Sequence, residues 1–231
     1  RQNVACLRSQ AGRERTVNDN SGKIILDLCG GSGSWSRPYK EAGYDVWLIT
    51  LPDYDVRTYE PPTGVYGILA APPCTEFSIA KNGSHRHRDL ELGMETVRAC
   101  LEIIWKCRLH NKLAFWAMEN PRGLLRQFIG KPFFTFDPWQ YGDEWTKKTD
   151  LWGYFKIPKP TVTEPPKGMI KRYSSGKSNA FCWTTCNDRV PDWYDGPKLD
   201  RAARRAITPL DSRKRFLKQI NRKEAKSHEP Y

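Results

Sequence analysis

Four short apolar runs, spaced by glycine turns and a helix-patterned stretch, constrain what this chain can fold into. The runs occupy 23–28, 44–51, 65–71 and 112–118, each the length of a buried strand. The first breaks at Gly30-Gly31-Ser32-Gly33, and a helix is expected over 34–42. Between the third and fourth, 89–110 carries Leu90, Met94, Val97, Cys100, Leu101, Ile104 and Trp105 at three- and four-residue spacing, which predicts a helix with these residues on its core face. Strands alternating with helices predict an α/β fold with a parallel sheet covered on both faces. Beyond 131 the chain turns aromatic and proline-rich, and hairpins and loops are expected there. A basic helix is expected over 210–226. The resulting division is a lead-in (1–22), a core (23–154), a small irregular region (155–203) and a basic closing segment (204–231).

In a sheet of this kind chemistry gathers at the strand ends. The third run ends in Ala71-Pro72-Pro73-Cys74-Thr75-Glu76-Phe77-Ser78. The prolines stiffen the turn and hold Cys74 out of regular pairing, so the thiol is either a nucleophile or a small buried residue. The fourth run ends in Glu119-Asn120-Pro121-Arg122-Gly123, which alone reads as a turn with a solvated acid. Neighbouring parallel strands would bring Cys74 and Glu119 to one cleft. The turn Asp27-Leu28-Cys29-Gly30-Gly31-Ser32-Gly33 sits between strand and helix, where glycines let a ligand approach the backbone; by itself it is a weak signal. Asp53 and Asp55 follow the second run, where an acid can accept hydrogen bonds from a ribose or an adenine amine.

The formal net charge of +12 favours a polyanionic partner, most simply nucleic acid. The charge is uneven: Arg201, Arg204, Arg205, Arg213, Lys214, Arg215, Lys218, Arg222, Lys223 and Lys226 crowd one stretch. The seven cysteines are odd in number and lack a disulfide framework, which fits a reducing setting. Cys182 and Cys186 have no second Cys/His pair beside them, so no metal site is expected. No apolar run reaches membrane-spanning length, and no charged-then-apolar signal opens the sequence.

Taken in order, Asp27–Gly33, Pro72-Pro73-Cys74, Glu119-Asn120-Pro121, Lys147-Lys148-Thr149-Asp150-Leu151-Trp152 and Arg205-Ala206-Ile207-Thr208-Pro209 resemble the motifs of the cytosine-5 DNA methyltransferase family, in its small phage and prokaryotic form. The cysteine and Glu-Asn blocks are the specific ones. The resemblance implies a Rossmann-like S-adenosylmethionine-dependent methyltransferase fold with a small irregular target-recognition region. It implies Cys74 as nucleophile toward C6 of cytosine and Glu119 as the acid engaging N3, with Asn120 fixing the loop and Lys147 near the base. S-adenosyl-L-methionine is the implied cofactor and S-adenosyl-L-homocysteine the product. The implied cofactor residues are Asp27, Cys29 (where the family usually has an aromatic), Gly31, Ser32, Gly33, Thr50, Leu51, Asp53, Asp55 and Pro72. The partner is double-stranded DNA with the target cytosine flipped out. Expected DNA contacts are Ser78, Lys81, Arg86, Arg88, Arg122, Lys148 and Arg205. The segment 75–89, with His85 and His87, reads as a mobile loop that closes over DNA. A monomer in the cytoplasm of a prokaryote or of a phage-infected host is expected. Two alternatives stand beside this reading: the same chemistry on transfer RNA, and an inactive homologue that only binds nucleic acid.

Overall fold

A computed structural model describes residues 20–82, 87–110, 113–142 and 147–165, with Tyr194 and Lys198. These residues build a mixed α/β fold on one six-stranded sheet. The strands are β1 (Ile24–Leu28), β2 (Asp45–Ile49), β3 (Val65–Ala70), β4 (Phe115–Pro121), β5 (Phe134–Phe136) and β6 (Thr149–Tyr154). Their order is β2-β1-β3-β4-β6-β5. The first four run parallel, while β6 is antiparallel to both β4 and β5.

Side chains alternate along each strand, so the sheet has two apolar faces. Leu26, Leu28, Ile68, Ala70 and Met118 pack beneath α2 (Leu90–His110) through its Val97, Cys100, Ile103, Ile104 and Cys107. Ile25, Leu69, Phe115 and Ala117 line the other face with Trp35 and Tyr39. Tyr39 belongs to α1 (Arg37–Glu41), and its ring stacks on Phe115 at 5.6 Å.

Several expectations need correction. The helix foreseen over 34–42 is only α1, because the glycine turn continues through Ser36 before helical pairing begins. Trp105, expected in the core, stands 60% exposed. The buried face of α2 centres on Cys100, Ile103 and Cys107, which turns position 105 outward. The fourth strand does not stop at Met118. Its ladder with β3 ends there, but its ladder with β6 continues through Glu119, Asn120 and Pro121. Of the hairpins and loops expected beyond 131, β5 and β6 form an antiparallel pair that joins the main sheet through β4. They are clamped to α3 (Leu125–Ile129) by Arg126, which forks onto the buried carboxylate of Asp150, with Thr135 Oγ1 donating to the same group at 2.8 Å.

Most of 1–22, most of the irregular region 155–203 and all of 204–231 lie outside the described residues, Arg205, Cys182 and Cys186 among them. Among the described residues no helix is long and apolar enough to cross a membrane, and no cluster of His, Cys, Asp or Glu could hold a metal ion.

Candidate active site

The sheet reverses its order at β1: the chain leaves β1 for β2 on one side and then crosses to β3 on the other. The crevice outside such a reversal is the usual ligand site of an open α/β sheet. Both strands splay from one point. The amide of Cys29 donates to Ile49 O at 2.8 Å, and that of Ala71 donates to Leu28 O at 2.9 Å. The glycine turn therefore leaves the sheet beside the turn that carries Cys74.

The glycine turn is shaped by close approach. Cys29 has φ +57°, and Gly31 and Gly33 are also in the left-handed region. A Cβ at Gly30 would fall 2.4 Å from the Asp27 carboxyl carbon, so the backbone lies directly over that side chain. Asp27 is fully buried, and neither carboxylate oxygen has a hydrogen-bond partner of normal geometry. Burial pushes its carboxyl up to about 6, against a smaller opposing pull from Ser36. Gly31 is exposed, with open space where a side chain would stand, and Ser32 is half-buried.

Past β2, Thr50 is half-buried, and Leu51 and Asp53 are exposed. Asp55 is differently placed. Arg57 grips it with its backbone amide (3.0 Å) and its guanidinium (2.6 Å), and the same guanidinium reaches Glu95 of α2 at 3.5 Å. The Arg57 hydrogen bonds hold the Asp55 carboxyl down at about 2. Asp55 thus ties the loop to α2, and Asp53 is the acid left exposed.

The Cys74 turn is rigidly built. Pro72 is buried, and its carbonyl accepts a 2.9 Å hydrogen bond from Asn120 Nδ2. Cys74, a half-buried thiol outside any disulfide, begins a tight turn in which its carbonyl accepts from Phe77 N (3.0 Å) and Ser78 N (2.8 Å). Phe77 is fully buried, its carbonyl accepts from Leu124 N at 2.9 Å, and Ser78 bridges Gly123. The segments after β3 and β4 are therefore tied to one another at 72–120, 77–124 and 78–123. Asn120 is fully buried, and its Oδ1 has no partner among the described residues.

Glu119 sits in the last part of β4, opposite Leu151 on β6. Its side chain is 21% exposed, and Lys147 Nζ approaches Oε1 to 3.8 Å. Cys74, Glu119, Asn120 and Lys147 thus lie towards the end of the sheet at which the glycine turn leaves β1, linked pairwise through Asn120–Pro72 and Lys147–Glu119.

The expected DNA contacts divide. Arg122 and Lys148 are exposed towards this end of the sheet, joined where the amide of Arg122 donates to Lys148 O at 2.8 Å. Lys81 is instead ion-paired to Glu76. Ser78 gives its carbonyl to Arg88. Arg86 and His85 lie outside the described residues, as does the middle of the segment expected to be a mobile loop. What is described of that segment is closed by internal contacts around Glu76, a residue that sequence reasoning passed over. Its carboxylate takes Lys81 and the amide of Asp89 (2.8 Å), and Lys81 holds it below the usual carboxylate range. No periodicity or motif marks such a contact.

No protein-family model matches the chain, and no curated protein matches it. Among solved structures it is similar to that of the Entamoeba histolytica methyltransferase EhMeth, at 10% sequence identity and a TM-score of 0.40, over 63% of this chain. The chain spans 57% of the length of that protein.

Proposed function

We propose that the chain is an S-adenosylmethionine-dependent methyltransferase of Rossmann-like fold that acts on C5 of cytosine in DNA. The observation that carries this reading is the pairing of a thiol turn with a carboxyl strand end. Cys74 lies in the turn just past β3, and Glu119 lies in the last part of β4, the parallel neighbour of β3; Asn120 and Pro72 tie the two segments together.

C5 of cytosine is a weak nucleophile. Addition of the Cys74 thiolate at C6 makes C5 enamine-like, so a hard substitution becomes two easier steps. Addition at C6 pushes negative charge onto N3; Glu119 in its acid form donates its proton towards N3 and takes it back as the thiolate leaves, and Lys147 orients Glu119. Once C5 is substituted, loss of its proton and departure of the thiolate restore the ring. Asn120 spends its amide on the Pro72 carbonyl and so fixes where the thiol points. The target base has to leave the duplex to reach these residues.

The residues around the glycine turn fit the cofactor. At the reversal of the sheet the backbone of Gly31 and the side chains of Leu51 and Asp53 are exposed, and the Asp27 carboxyl is held directly beneath Gly30. When bound there, S-adenosyl-L-methionine would supply an electrophilic methyl group for C5. Positive charge from the exposed Arg122 and Lys148, and from the lysines and arginines of the 201–226 sequence, supplies the electrostatic hold on DNA.

The test is covalent trapping. Duplex DNA carrying 5-fluorocytosine cannot lose a proton from C5, so wild-type protein with cofactor is expected to give a denaturant-stable adduct mapped to Cys74. Cys74→Ser is expected to give none. Wild type that binds both ligands yet forms no adduct sinks the enzyme reading, and trapping on RNA but not on DNA moves the activity to RNA.

A further inference from the structure

We propose that Arg88 is a positioning residue that sets the turn carrying Cys74, not a contact to DNA phosphate. For its catalytic consequence this rests on the methyl-transfer reading above. Arg88 lies just ahead of α2, the 21-residue helix locked into the core. Its guanidinium faces the nucleophile segment. Nη1 donates to Glu76 O at 2.6 Å, and Nη2 donates to Ser78 O at 2.9 Å and to Asn82 Oδ1 at 2.7 Å.

Two of these acceptors are backbone carbonyls of the turn that begins at Cys74. Ser78 is bound from both sides, since its amide donates to Cys74 O and its carbonyl accepts from Arg88. The next residue, Asp89, gives its amide to the Glu76 carboxylate, and Lys81 meets the same carboxylate. The head of α2 thus holds residues 76, 78 and 82 at once.

Arginine suits this work because its planar fork presents five donors in fixed directions. A lysine's three donors radiate from one nitrogen and cannot reproduce the fixed separation of Nη1 and Nη2 that reaches Glu76 O on one side and Ser78 O and Asn82 Oδ1 on the other. Both hydrogens of Nη2 are already committed to the turn. The arginine is therefore aimed at the loop, and the nearby carboxylate of Glu76 feels its positive charge. A displacement of about 1 Å in a reacting group can cost about a hundredfold in rate, so a loosened turn is felt as lost turnover.

Two arms test this on the full chain with Arg88→Ala and Arg88→Lys. The first needs no DNA: the rate at which iodoacetamide modifies Cys74, read by mass spectrometry of the Cys74 peptide. Arg88→Ala is expected to shift that rate at least about threefold, and added guanidinium ion to bring it back towards wild type. The second measures methyl transfer and duplex binding. Both variants are expected to lose about tenfold or more in kcat, with KM for DNA and the salt dependence of binding unchanged.

Weaker binding with a log–log salt slope reduced by about 1, and an unchanged kcat, would make Arg88 a phosphate contact and overturn the proposal. So would an alkylation rate at Cys74 that neither variant alters. Should Arg88→Ala not fold, Arg88→Lys, which keeps the charge and stem, carries both arms. Failure of wild type to transfer methyl groups at all would fall on the proposed function, and the alkylation arm would still decide the role of Arg88.

Discussion

Asp27 is the residue whose chemistry is most at odds with its surroundings. A carboxylate fully buried under the glycine turn, with only a weak pull from Ser36 to offset its desolvation, costs stability whenever it is charged. Its carboxyl is raised from 3.8 to about 6, so the folded protein binds a proton more tightly than the unfolded chain does. The associated stability is fully present below about pH 4 and is lost as pH climbs through about 6. A shift of that size corresponds to roughly 3 kcal/mol. Asp27→Asn removes the titration while keeping the shape. Urea unfolding is expected to show the variant gaining on wild type between pH 4 and pH 7, by up to about 3 kcal/mol. Parallel pH profiles for the two proteins would mean that Asp27 is not charged at a cost. A residue kept in such a place at neutral pH fits a site that gives up stability for ligand chemistry.

At the scale of elements, the site depends on β4 outlasting its parallel neighbour. Past Met118 it has lost β3 but still pairs with β6, so Glu119 and Asn120 are held in extended backbone while the chain after β3 is released to turn at Pro72. Gly123 then closes the gap. A Cβ there would sit 2.3 Å from the Phe77 carbonyl oxygen, too close for any side chain. Gly123→Ala is expected to push the Phe77–Ser78 turn off the end of β4, costing about 1–3 kcal/mol in unfolding free energy, and to lower the 5-fluorocytosine trapping rate. A variant as stable and as fast as wild type would show that the two segments move independently.

The parallel half of the sheet was legible because β1, β3 and β4 are near-continuous apolar runs buried on both faces, and β2, at the edge, is a short run dominated by Val46, Trp47, Leu48 and Ile49. The other half was not. Glu119-Asn120-Pro121 reads as a turn because proline seldom joins a ladder, yet here it closes one beside Thr149. β5 has three residues, and β6 slots between β4 and β5 through pairings that no local pattern encodes. The same holds for the site. Strand ends placed Cys74 and Glu119 towards one end of the sheet, because register follows from the sheet. The links from Arg88 to Glu76 and Ser78, and from Lys147 to Glu119, join side chains whose partners depend on how loops fold back, and a basic residue in sequence reads first as a surface charge.

For the whole molecule the governing quantity is charge. Lys and Arg number 38 against 26 Asp and Glu, and the excess is concentrated between Arg201 and Lys226, where acids are few. If the partner is the proposed duplex, such a chain would hold it largely by releasing the counterions condensed on it, so affinity would fall linearly with salt on a log–log scale, by about 0.9 per phosphate neutralised. Fluorescence anisotropy on a labelled duplex, between 50 and 200 mM salt, is expected to give a slope steeper than about −3. Replacing Arg213, Lys214 and Arg215 together with alanine is expected to flatten it by up to about 3, and Lys148→Ala, at the exposed edge beside Glu119, by about 1. These substitutions should weaken binding to all duplexes alike, since phosphate contacts position a protein on DNA without reading its sequence. A shallow slope in wild type would remove nucleic acid as the partner that the charge implies. A slope unchanged by the triple substitution would move the DNA footprint away from the closing segment and onto the edge formed by Arg122 and Lys148.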